Sequence, residues 1–174
     1  MRLAARTFRN LVERASVEDL GRPSNGTKWT NEQLLFHMLF GYLVVARLRI
    51  LVKVFGRLPD RAGRTFAAAL ESATGPFHVV NYVGSLGGHR FLGHAGMVRR
   101  MDRVTERLLR HLDRESAGEL ERGMHYPPSW DPYFREYMTL ADVYHYPTLH
   151  FEHHRHQLTL DPPKGGDERR AKAS

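Results

Sequence analysis

Apolar residues recur at steps of three and four along four long stretches of the chain, and that spacing predicts an all-α fold. The first stretch runs from about Leu3 to Leu20, with Leu3, Phe8, Leu11, Val12 and Ala15 on one face, and ends before Gly21 and Pro23. A turn-rich linker, "GRPSNGTKW", follows. The second stretch opens at Thr30, whose hydroxyl caps the free amides of the first turn while Gln33 reaches back in a capping box, and it continues to about Phe55. At about 100° per residue, Gly41, Val44, Leu48, Leu51, Val52 and Phe55 fall within about 60° of His37, and Arg49 and Lys53 fall opposite. His37 is therefore expected to point into the core.

Between Gly56 and Gly88 the periodicity weakens to a short helix around Arg61 to Ala73 and a looser apolar stretch, "PFHVVNYVGSL". A connection of that length lets the helices on either side run parallel, which a short hairpin loop forbids. The third long helix is predicted from about Gly88 to Glu115, with Val98, Met101, Thr105, Leu108 and Leu112 at core spacing and arginines on its outer side. "HYPPSWDPYF" reads as a loop, and the last helix starts near Thr139. Pro162 and Pro163 stop helical structure, so 161–174 is expected to be a disordered basic tail. The expected architecture is one domain over residues 1–160, a four-helix bundle with a long crossover between helices two and three.

Composition narrows the chemistry. A chain of 174 residues that is 41% hydrophobic and 26% charged is long enough for one core. It has no cysteine, which excludes disulfides, thiolate metal sites and a cysteine nucleophile, so any metal must sit on nitrogen or oxygen. Leu43 to Phe55 is interrupted by Arg47, Arg49 and Lys53, so no membrane span is expected. The basic, amphipathic opening reads as a first helix, not a targeting segment, and a cytoplasmic location is expected. The formal charge of +7 raises an anionic partner, but the arginines are scattered and no nucleic-acid-binding motif accompanies them.

Five of the eleven histidines fall in "YHYPTLHFEHHRHQLTL", between Tyr144 and Leu160. On a helix, His150 and His154 lie about 40° apart on one face together with Pro147, Phe151 and Leu158. Glu152, His153 and His156 fall away from that face, and His145 reads as a rim position. Two stacked core imidazoles are either hydrogen-bonded to other side chains or share a metal. His37 would supply a third nitrogen, and His94, one turn before Val98, is a rival. Phe151 stands where a zincin-type motif would require glutamate.

The segments "KWTNEQLLFHM" and "HFEHHRHQL" resemble, in order and separation, the motifs of the DinB-like (YfiT-like) family of metal-dependent proteins, and the likeness covers about residues 3–160. The resemblance implies a four-helix bundle and a divalent metal, often zinc or nickel, on His37, His150 and His154. It also implies a homodimer. The family pattern usually has glycine where this chain has His156, and Pro147 inside the last helix is unusual and is expected to bend it. Similar proteins include thiol-cofactor-dependent enzymes such as mycothiol-dependent maleylpyruvate isomerase and bacillithiol S-transferases. The expected function is thus a metal-dependent S-transferase or hydrolase acting on a small electrophile, with a low-molecular-weight thiol as a candidate cofactor. The alternatives are a non-catalytic or stress-related metal-binding protein, or a basic nucleic-acid-associated protein.

Overall fold

The computed structural model describes residues 1–160, except for the side chains at 76–81, 83, 85 and 86. The expected tail at 161–174 lies outside the described residues. The fold is all-α, with seven helices and one short hairpin among the described residues. The four long helices are α1 (Arg2–Arg14), α3 (Asn31–Phe55), α5 (Thr74–Leu112) and α7 (Leu140–Arg155). α3 packs against both α5 and α7, and α1 packs against the same two. The shorter helices are α2 (Val17–Gly21), α4 (Asp60–Ser72) and α6 (Ala117–Leu120).

Local chemistry explains the boundaries. The predicted first helix is divided in two, because Ser16 and Asp19 form their own capping box and start α2 after α1 has ended. Ala4, Ala5, Phe8 and Val12 form the buried face of α1, while Leu3, expected inside, is exposed. Thr30 with Gln33 starts α3, and Thr139 with Asp142 starts α7, so both helices that carry the candidate histidines begin at firm caps. Pro147 lies buried within a continuous α7. The core is built from Phe8, Leu34, Leu35, Met38, Leu39, Tyr42, Met101, Leu108 and Phe151, each excluded from solvent. Burying a side chain of that size contributes about 1.5–3 kcal/mol.

Three expectations change. The third helix begins earlier than predicted, since the apolar stretch at 76–86 is already part of α5. α5 is interrupted at Gly93, whose φ of 61° belongs to the left-handed region that glycine enters without a steric penalty. Glu32 spans that break, facing His89 at 3.5 Å and His94 at 2.7 Å. The loop before the last helix contains an antiparallel hairpin, β1 (Gly123–His125) and β2 (Tyr137–Thr139), which three-residue strands conceal from any periodicity. Finally, α3 is long and apolar enough to cross a membrane by length and composition, with a window of mean hydropathy 1.8. That window is 56% buried inside the protein, so contact with the other helices accounts for its apolar character.

Candidate metal centre

α3 and α7 bring the three sequence-predicted histidines together. One ligand atom from each of His37, His150 and His154 lies within 4.8 Å of the other two. His37 Nε2 and His150 Nε2 are 3.1 Å apart. The His154 ring centroid stands 4.7 Å from that of His37 and 4.5 Å from that of His150, with the planes steeply inclined. His37 and His150 are buried, and His154 is partly exposed.

Neighbouring residues hold each ring. Trp29 lies over His37 with centroids 4.4 Å apart, which gives the tryptophan of "KWTNEQLLFHM" a physical role. Gly41, one turn after His37, admits the ring of His150: a Cβ there would sit 2.7 Å from His150 Nδ1. His154 Nδ1 donates to Gln157 Oε1 at 2.7 Å, so its Nε2 keeps a free lone pair. The glutamine of "HFEHHRHQL" therefore orients a ring. His156, where the family pattern has glycine, caps α7 with φ of −72°, a conformation open to any residue.

The environment favours the neutral form of His150 and His154. Burial pushes the pKa of His150 well down, and the adjacent rings of His37, His154 and His153 push the same way. Burial also lowers His154, to about 4, against the opposing pull of Gln157. Neutral imidazole is the ligating form. The three rings each bring one nitrogen within 4.8 Å of the other two, and His37 and His150, facing through Nε2 at 3.1 Å, share at most one proton between those atoms. With metal–nitrogen bonds of about 2.0–2.1 Å, neighbouring nitrogens of a tetrahedral centre lie about 3.3 Å apart, close to the observed pair. The residues fit a divalent cation.

Sequence reasoning missed the groups that complete the site. Asp131, in the loop after a 3-10 turn at Pro128–Trp130, places Oδ2 3.8 Å from His150 Nε2. Oδ2 accepts from the Tyr146 hydroxyl at 2.9 Å, and Oδ1 accepts from the Tyr133 amide at 2.9 Å. Burial raises the Asp131 pKa, against these hydrogen bonds. Asp131, Tyr146 and Phe134 wall a cavity of about 30 Å³ beside His37 and His150. In the sequence these residues stand in "HYPPSWDPYF", which reads only as a loop, and loop residues have no periodicity from which their facing can be read. Among the described residues no arginine lines this cavity.

The other histidines separate from this group. His94, the rival third ligand, pairs with Glu32 at 2.7 Å and is 44% exposed in its side chain. His145, His153 and His156 are exposed, as their helical positions required. The family model described as the DinB superfamily matches residues 1–158. No curated protein and no solved structure matches the chain.

Proposed function

The chain belongs to the DinB superfamily, and from that premise we propose that it is a metal-dependent enzyme whose divalent ion, zinc or nickel, is held by His37, His150 and His154. The observation that carries this reading is the convergence of three imidazoles from two helices, two of them held neutral by burial. When bound, the ion supplies Lewis acidity toward water or toward a low-molecular-weight thiol, which a cysteine-free chain must take from outside. The reaction is S-transfer or hydrolysis at a small electrophile. His37, His150 and His154 bind through neutral nitrogens; Trp29 and Gln157 orient them; Phe134 and Val44 exclude bulk water. Asp131 is the carboxylate placed to accept a proton at the cavity, and the Tyr146 hydroxyl holds its Oδ2 in place.

One observation favours a second reading, a metal-binding protein without turnover. A cavity of about 30 Å³ has room for a water but not for a thiol cofactor. Metal analysis after dialysis against zinc or nickel tests the centre itself: one equivalent is expected in the native chain and none in His150→Ala. Only trace metal in the native chain would refute the centre. His37→Ala then separates the two readings, because loss of a catalytic ion leaves a folded and inactive protein, whereas loss of a structural ion unfolds it.

A further inference from the structure

The scattered arginines of the sequence are gathered by the fold. On α5, Arg100, Arg103, Arg107 and Arg110 follow one another at steps of three and four, a stripe about 15 Å long. Facing it, α3 presents Arg47 and Arg49, and the two helices enclose a groove of about 590 Å³. Among the described residues Glu106 is the one carboxylate lining it, and it stands 3.8 Å from Arg110. Among the described residues no ion pair is formed by Arg47, Arg100, Arg103 or Arg107. Arg49 donates to His111 Nε2 at 2.9 Å, and its buried Nε has no hydrogen-bond partner among the described residues. Burial, with Arg49 second, lowers the His111 pKa, so this ring adds no charge and serves as an acceptor that fixes Arg49.

A single phosphate or carboxylate satisfies one or two guanidinium groups. Six of them spread over this length call for an anion whose charges are themselves spread out. The floor is aliphatic, with Leu43, Ala46, Ile50 and Val104, and among the described residues the one ring lining the groove is that of His111, with no Phe, Tyr or Trp. A single imidazole already engaged by Arg49 gives no run of platforms on which successive nucleobases could stack, the usual device for holding single strands. A concave channel between two helices also suits a thin chain better than a duplex, whose major groove takes a protruding element. We propose that the α3–α5 groove binds a linear oligophosphate anion, free or as the phosphate chain of a nucleotide, through the arginines of both helices.

Calorimetric titration of the purified full chain with inorganic tripolyphosphate at low salt tests this. Saturable binding that weakens with added salt is expected. Arg103→Glu and, as a milder change, Arg107→Gln should each weaken it, the former by roughly tenfold or more. Both residues are exposed, so circular dichroism and metal content should be unchanged. ATP separates the sources: affinity equal to that of tripolyphosphate assigns recognition to the phosphate chain alone, and tighter binding assigns it to a nucleotide. A flat tripolyphosphate isotherm overturns the proposal, as does binding unaltered in Arg103→Glu. A single-stranded oligonucleotide that binds more tightly than tripolyphosphate also overturns it, in favour of a nucleic acid partner.

Discussion

α3 carries two polar clusters into the interior, one near each end, and they are built on opposite principles. Toward its C-terminal end, Lys53 pairs with Glu115, whose carboxylate is 2% exposed and also accepts from the Tyr144 hydroxyl at 3.1 Å. Cation, anion and hydroxyl complement one another, the ammonium by charge and the hydroxyl by donating. Toward its N-terminal end, His37 meets His150 and His154, three copies of one group, two of them held neutral by burial. His150 Nδ1 is buried with no hydrogen-bond partner among the described residues. A cluster of unlike groups holds helices together, and a cluster of like acceptors has the chemistry to hold a cation.

The sharpest test of this contrast is to substitute one member of the Lys53–Glu115 cluster. Glu115→Ala removes the partner of Lys53 and of the Tyr144 hydroxyl, and should lower unfolding stability by about 2–4 kcal/mol in urea denaturation. Metal content should stay at the native value; a variant that loses metal as well would show that the two clusters are one unit.

Acid should act on the other cluster. The folded pKa of His154 is about 4, and that of His150 is also depressed, both below the ordinary value of 6.5. The unfolded chain therefore binds protons that the folded, metal-free protein refuses. The contribution is fully present above 6.5 and declines as pH falls toward about 4. Thermal melts of the chelated protein should show a falling Tm across that window, and a profile that stays flat there would contradict the burial of these rings. The metal-loaded protein should release its ion in the same direction.

Smaller changes sharpen the role of the supports. Gly41→Ala would place a Cβ 2.7 Å from His150 Nδ1 and displace the ring, so metal affinity should fall on the order of a hundredfold with the fold retained. Gln157→Leu frees the His154 ring and should weaken affinity by roughly tenfold, measured by competition with a chromophoric chelator. His153→Ala and His156→Ala should leave affinity unchanged. Loss in either comparable to that in Gln157→Leu would mean that an exposed histidine turns inward to ligate.

In the sequence by itself, periodicity was enough for the helical class and for a last helix starting near Thr139, and the hydrogen-bonding chemistry of Thr30 and Gln33 was enough for the cap that starts α3; the Thr139–Asp142 cap of α7 emerged with the fold. Periodicity also sorted the histidines of the last helix, because facing on a helix is set by 3.6 residues per turn. The resemblance of the sequence to known motifs named the set His37, His150 and His154. That these rings meet, that Gly41 makes room for one of them, and that Asp131 arrives from a loop to meet the Tyr146 hydroxyl of α7 beside them follows only from how the segments pack. Packing likewise drew arginines that are fifty residues or more apart in the sequence, those of α3 and α5, into one groove, while leaving the cavity beside the histidines without any among the described residues. Helical periodicity places residues around one axis; which axes lie side by side, and which loop folds over them, depends on packing between segments distant in the chain.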